Sequence, residues 1–307
     1  MLKGKIIYNG FWNTSPPNPV VRLMQSAEKK GIVLDAVPNS KAIVMIDGRA
    51  KVYGFMPGDF AIFWDKDMRL AKTLESIGVR LYNNQAAIAL CDDKFATHLA
   101  LAQHGLPMPK TVLAPMTYRV FDRQAAEKYY QTVRDEIGFP MIVKECFGSL
   151  GGQVYFAQSM GELVRIATQI GDRPFFCQQF IDTKTDEFQS VDLRLYVVGG
   201  EVKAAMKRCH PSDFRANISN GGMGIKYTPD AREIELAVKC SKILGLCFCG
   251  VDIILDRHGK PYICEVNSNA QMAGITGCTG VSVADDIIDF VIQNEAEVQD
   301  EERYIQK

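Results

Sequence analysis

Residues 249–269, CGVDIILDRHGKPYICEVNSN, decide the fold reading. Two apolar runs, Val251 to Leu255 and Tyr262 to Val266, flank a short polar link containing His258-Gly259, the pattern of a β-hairpin with a two-residue loop. Counting outward from that turn sets Asp252 opposite Glu265 and Val251 opposite Val266. The same count sets Ile254 opposite Ile263 and Leu255 opposite Tyr262, so both faces are apolar and the hairpin is expected to be buried on both. Two carboxylates facing each other in such a ribbon repel and resist losing water, so a cation is expected between them. Asn267, two residues beyond Glu265, projects from the same face. Three hard oxygen ligands with room left for water suit Mg²⁺. The other reading is that Asp252 and Glu265 lie at a frayed sheet end and are hydrated.

Working outward, the chain of 307 residues has length for two or three lobes, and its 47% hydrophobic content is that of a globular protein. A net charge of -1 excludes a general nucleic-acid binder held by a broad basic surface, though not a local basic pocket. The amino-terminal MLKGKIIYNGFWN lacks the pattern of a secretory signal, and no apolar span is long enough to cross a membrane, so a cytoplasmic protein is expected. Nine cysteines without CxxC pairing fit a reducing compartment and read mostly as small buried apolar residues.

Residues 1–88 read as an α/β unit: strands at Lys5–Tyr8, Ile32–Val37, Ala61–Trp64 and Val79–Tyr82, with a helix at Pro19–Lys30 closed by Gly31. A small parallel sheet is expected, with residues 9–18 as the loop after its first strand. Asp92 or Asp93 caps a helix running to about His104, and Lys94 lies in its first turn, where a cation gains nothing from the helix dipole. From Met141 the pattern is strand, loop, strand. Lys144 stands within the first of these strands, where its ammonium needs the surface or an anion. Gly148, Gly151 and Gly152 let the loop bring backbone N–H groups near a phosphate, with Ser149 adding a hydroxyl; equally they make a flexible turn.

Residues 175–181 are a buried strand and 182–189 a polar loop. A second hairpin turns at Gly199-Gly200, and counting from it sets Asp192 opposite Lys207 with Arg194 on their face and Arg208 on the other. The loop HPSDFRANISNGGMG offers Arg215 and Asn217 as a site wall. Helices are expected at residues 230–244 and 284–294, with a polar tail after them.

In order, Lys94, Lys144 with its glycine loop, QQFI, DLR, AMKR, DFRAN, GVDI and EVN resemble the ATP-grasp enzymes, and among them the RimK-like carboxylate-amine ligases, over roughly residues 88–290. The resemblance implies an α/β (α+β) ATP-grasp fold with an N-terminal pre-ATP-grasp domain at 1–88, a central lobe at 89–181 and a C-terminal lobe at 182–307. It implies that Lys94 and Lys144 meet ATP phosphates beneath the 148–152 loop, that Gln179 and Phe180 receive adenine, and that Asp192 is an ATP-binding acid. Arg215 and Asn217 match phosphate- and substrate-side residues, Arg208 an arginine near the transferred phosphate, and Asp252, Glu265 and Asn267 the ligands of Mg²⁺ or of Mn²⁺ in its place. The implied reaction joins a small-molecule or peptide carboxylate to an amine through an acyl phosphate, with neither nucleic acid nor membrane as partner and a homo-oligomer left open. Departures are Gln179 where the family commonly has Glu, Ser268-Asn269-Ala270-Gln271 without the family's proline after EVN, in a segment that the resemblance sets beside the second substrate, and the long 183–189 link. The rival readings are a non-catalytic ATP-binding scaffold and a Rossmann-type binding protein, against which stands the lack of GxGxxG after the first strand.

Overall fold

Alternating strands and helices in the first ninety residues build a parallel sheet, and hairpin-rich sequence after residue 140 builds two antiparallel ones. A computed structural model describes residues 2–11, 15–118, 123–149 and 151–305. Within the loop after the first strand, residues 12–14 lie outside the described residues, as does Leu150 of the glycine loop.

The first sheet contains β1 (Lys3–Tyr8), β2 (Val33–Pro38), β5 (Phe60–Trp64) and β6 (Leu81–Tyr82) in the order β2-β1-β5-β6, every pair parallel. Helix α1 (Asn18–Lys29) covers one face with Val20, Leu23 and Ala27, a spacing that puts all three on one stripe. Helix α2 (Met68–Ser76), capped by the Asp67 carboxylate, covers the other with Leu70 and Leu74. A hairpin absent from the sequence reading, β3 (Ile43–Asp47) and β4 (Arg49–Tyr53), forms its own two-stranded sheet.

Two helices follow where one was expected, α3 (Gln85–Asp92) and α4 (Lys94–Gln103), because the Asp93 side chain accepts from the N–H groups of Phe95 and Ala96 and so starts a new helix. The second sheet has the order β7-β10-β8-β9, from β7 (Thr111–Leu113), β8 (Met141–Glu145), β9 (Val154–Ala157) and β10 (Phe175–Gln179). Helices α5 (Arg123–Ile137) and α6 (Met160–Ile170) back it.

The third sheet runs β13-β12-β11-β14-β15, antiparallel throughout, from β11 (Ser190–Val198), β12 (Glu201–His210), β13 (Met223–Lys226), β14 (Phe248–Leu255) and β15 (Pro261–Asn267). One face packs with helix α7 (Ala231–Ile243) and with α3 and α4 through Leu195, Val251, Ile263 and Leu101. Alternation sends Asp192, Arg194, Tyr196 and Val198 of β11 to the opposite face. Tyr196 and Val198 are buried in one core with Trp64, Phe248 and the first sheet, while the charged end emerges at the cleft. Two helices close the chain, α8 (Ala273–Thr279) and α9 (Val283–Ile305); the latter runs well past residue 294 and lays Ile287, Ile288 and Val291 on the core that holds α1.

Both hairpins follow the counted register next to one end and leave it at a bulge. Asp252 pairs with Glu265 and Val251 with Val266 as counted, but beyond Asp252 the partners become Ile253–Ile263, Ile254–Tyr262 and Leu255–Pro261. Cys264 is the extra residue, and the link is a turn over 256–260 in which the Asp256 side chain accepts from the N–H groups of His258 and Lys260. In the other hairpin Gly199 and Gly200, both at positive φ, make the turn as expected. Lys203 is then extra, so Asp192 faces Arg208 and not Lys207. Arg208 therefore shares the face of Asp192 and Arg194, and Lys207 turns away, correcting the counted arrangement.

Candidate active site

Four side chains on the central strands of the third sheet form a buried chain of alternating charge. Arg194 donates from Nε and Nη2 to the two oxygens of Asp252 at 2.7 and 2.6 Å. Arg208 donates from Nε and Nη2 to Asp192, both at 2.6 Å, and its Nη2 also lies 2.8 Å from Asp252 Oδ2. Bidentate guanidinium–carboxylate pairs fix geometry as well as charge. Burial opposes the charge on Asp252, but the two guanidiniums overcome it and hold the carboxyl below its ordinary range. Gly250 makes room for this: a Cβ there would stand 2.6 Å from the Ala270 Cβ and 3.4 Å from Arg194 Nε.

Glu265 faces Asp252 across the hairpin, and Asn267 lies two residues on, opposite Gly250. Lys94 Nζ approaches Glu265 Oε1 at 3.6 Å and donates to the Gly148 carbonyl at 2.7 Å, tying α4 to the glycine loop. Lys144 is buried in β8, with Nζ 3.6 Å from Cys264 Sγ, the bulge residue. Gly148 has φ +143, a conformation that L residues rarely adopt, and Arg215 Nη1 grips the far side of the loop by donating to the Gly151 carbonyl at 2.8 Å. Asp213 orients Arg215, accepting from both Nε and Nη2.

Two adjoining cavities meet here. The narrower, about 120 Å³, lies between the second and third sheets and is lined by Lys144, Gln179, Phe180, Asp192, Asp252 and apolar Ile142, Val154 and Ile254. Phe180 packs edge-on to Phe156, which stacks on Phe214, so the strand end at Gln179 stops against an aromatic wall. The larger, about 630 Å³, lies between the first and third sheets and is lined by Asp65, Arg194, Asn267 and Asn269 among others. Lys94, Gly148, Ser149, Arg208, Asn217 and Glu265 line both, so the shared wall carries two cations and one carboxylate beside the glycine loop.

The sequence-derived residues are therefore brought together: Lys94, Lys144, Gly148, Ser149, Gly151, Gln179, Phe180, Asp192, Arg208, Arg215, Asn217, Asp252, Glu265 and Asn267 all line one cavity or both, and Gly152 lies in the same loop. Sequence reasoning passed over Arg194, placing it on the right face without its tie to Asp252. It also passed over Phe214 and Asp65, for the first of which the FR pair beside Arg215 was the available signal; Asn269 and Gln271, of the segment expected beside the second substrate, line the larger cavity. Among the described residues no three His, Cys, Asp or Glu side chains gather as a metal site, so a divalent ion here needs the Asn267 oxygen beside Asp252 and Glu265. Opposed carboxylates, an amide oxygen on the same face and space beside them suit a hard cation such as Mg²⁺, provided Asp252 exchanges a guanidinium for it.

The RimK-like ATP-grasp domain model matches residues 91–291. The chain belongs to the RimK-like ATP-grasp ligases. Relatives carry the same stamp: a probable alpha-L-glutamate ligase of Maridesulfovibrio salexigens is 33% identical over 231 residues, covering 73% of this chain and 71% of its own. Human N-acetylaspartylglutamate synthase A is 31% identical over 232 residues, 74% of this chain, which spans only 56% of that protein. In fold, the ATP-grasp ligase PsnB complexed with a phosphomimetic variant of its minimal precursor, Mg and ADP superposes with a TM-score of 0.67 over 95% of this chain and 98% of its own, at 15% identity. The ATP-grasp architecture thus extends over the first sheet as well as the matched residues. Among the described residues no helix is long and apolar enough to cross a membrane.

Proposed function

We propose that this RimK-like protein uses ATP to join a carboxylate to an amine through an acyl phosphate, on amino-acid or peptide substrates. The observation that carries the reading is the shared wall: a narrow, partly apolar cavity ending at Gln179 and Phe180 and a roomier second cavity meet at Lys94, Arg208 and Glu265 beneath the glycine loop. In this reading adenine packs by Gln179 and Phe180, and the phosphates lie under Gly148, Ser149, Gly151 and Gly152 within reach of Lys94 and Lys144. Asp192 and Asn217 complete the nucleotide contacts.

A substrate carboxylate oxygen attacks the γ-phosphorus as its bond to ADP breaks. The amine nitrogen then attacks the acyl carbon, the carbon–oxygen bond to phosphate breaks, and the amine proton leaves with solvent or a nearby base. Arg208 and Arg215 offset charge on the transferred phosphoryl oxygens, which is where positioning and electrostatics do most in such reactions. Asp252, Glu265 and Asn267 would hold Mg²⁺, which when bound supplies charge neutralisation at the phosphates. No side-chain nucleophile is needed. The test is ADP release over a panel of acids and amines with mass analysis of the product; nucleotide binding without ADP release over the whole panel leaves the scaffold reading in its place.

A further inference from the structure

The β3–β4 hairpin contributes no described residue to either cavity above, and its outer edge is open. Strand β4 is held to the first lobe through Val52, which packs on the core of Leu70 and Leu74. Strand β3 has no such cover. No strand lies along its outer edge among the described residues, and Ile43, Val44, Met45 and Ile46 are all exposed, Ile43 at 61% and Ile46 at 82%. Tyr53, opposite Ile43, is exposed as well, so apolar surface extends from the edge over the face that turns away from Val52. A two-stranded ribbon is marginal in water and gains stability from further strands.

Proteins blunt an edge of this kind with proline, with a bulge or with charge along the strand. Residues 43–46 contain neither proline nor charge, and the pairing with β4 runs from Ile43–Tyr53 to Asp47–Arg49 without a bulge. The edge is also complementary to itself. Laid antiparallel on a copy of itself about Val44, the strand sets Val44 against Val44, Ile43 against Met45 and Ala42 against Ile46, and brings Lys41 to Asp47 at both ends. Lys41 has no carboxylate partner among the described residues, and Asp47, most of its side chain exposed, meets only Lys51 of its own hairpin, at 3.4 Å. The neighbouring axis, at Met45, sets Ile43 against Asp47 and brings Lys41 to Arg49. Apolar pairs with opposite charges at the ends favour the axis at Val44.

We propose that β3 is a dimer edge: two copies of this chain pair their β3 strands antiparallel about a two-fold axis at Val44, giving one four-stranded sheet in the order β4-β3-β3-β4. The pairing gives the outward N–H and C=O groups of β3 their partners and takes Ile43, Val44, Met45 and Ile46 out of water. Each copy offers the same patch, so the contact closes on itself and stops at two chains. It stands apart from both cavities and does not rest on the ligase reading.

The experiment is sedimentation velocity on the full chain from about 1 to 100 µM, where a monomer–dimer equilibrium is expected. Val44→Lys sets two ammoniums against each other on the axis and weakens the dimer about tenfold or more. Lys41→Asp places acid against acid at both ends and weakens it about threefold to tenfold, while Lys41→Asp combined with Asp47→Lys returns the dissociation constant to within about threefold of the parent's. Melting temperatures of the variants in dilute solution stay near the parent's. Register is read by mild oxidation: Val44→Cys forms a disulfide between chains and Met45→Cys does not, because directly opposite Cα atoms lie about 4.5–5.5 Å apart and the two Met45 positions beyond about 7 Å. The parent, with its own nine cysteines, is the control. A chain that stays monomeric across the range overturns the inference and leaves the strand to a different protein. A dimer that Val44→Lys and Lys41→Asp both leave within about twofold, or that crosslinks through Met45→Cys and not Val44→Cys, overturns it as well.

Discussion

Asp252 and Glu265 face each other across one hairpin yet differ in what holds them. Asp252 is fully enclosed by Arg194 and Arg208, whereas Glu265 keeps about a quarter of its side chain exposed and has a lysine only at 3.6 Å. Removing the charge of Asp252 leaves two buried guanidiniums short of a partner, a change that costs about 3–5 kcal/mol. Asp252→Asn is therefore expected to lose both ADP formation and several degrees of melting temperature, while Glu265→Gln loses ADP formation with a melting temperature close to the parent's. Thermal melts of the two variants check this; equal stability of both removes the structural role given to the guanidiniums. His98 supplies a pH test. Burial and the positive charge of Lys144 push its imidazole down to about 3, with Nε2 at the Cys264 carbonyl and Nδ1 at the Gln178 amide. Since the folded pKa lies below the unfolded value of about 6.5, its contribution to stability is complete above that pH and is lost progressively as pH falls toward 3. Urea unfolding midpoints across that range should fall, and His98→Gln should flatten the slope.

At the scale of elements, the glycine loop divides into positions that need glycine and one that does not. A Cβ on Gly148 meets the Gln153 side chain at 2.3 Å and sits at φ +143, whereas on Gly152 the nearest atom is 3.9 Å away. Gly148→Ala is expected to raise the KM for ATP about tenfold or more and Gly152→Ala less than about threefold, the gap reflecting the roughly 1–3 kcal/mol of strain in a disfavoured backbone region. Steady-state kinetics on the pair decides it. The same scale shows what the sequence could and could not tell. Alternating apolar runs and glycine turns gave both hairpins and their apolar faces, and the pairing of Asp252 with Glu265 survived because Cys264, the bulge residue, falls between Glu265 and the turn's displaced centre. Asp192 was matched with Lys207 because nothing in GGEVKAAMKR marks Lys203 as the surplus residue. Bulges are decided by packing on both faces of a sheet, which a count along one strand does not contain. The β3–β4 hairpin escaped for another reason: its β3 strand, IVMID, is exposed along its length, so burial leaves no alternation to read.

For the whole molecule, the order of motifs carried more information than any one of them, since the fold puts eight scattered segments around two cavities with a common wall. What the order did not show is how closely the third sheet and the last helix are joined to the first lobe. Ile287, Ile288 and Val291 are buried with Val20, Leu23 and Ala27, and Glu295, also buried, accepts from the Tyr82 hydroxyl and from Arg80. Replacing a buried isoleucine by alanine costs about 2–5 kcal/mol. Ile287→Ala is accordingly expected to lower the urea midpoint of the first lobe as much as that of the third sheet, measured by hydrogen exchange on β1 and β11; protection lost from β11 alone would refute the common core. Lys30 and Asp289, whose ion pair sits on this seam, are 259 positions apart. A nascent chain leaving the ribosome therefore makes the first lobe before it can seal that lobe's hydrophobic flank with α9, so an earlier unit depends on a later one and is the natural client for a chaperone in between.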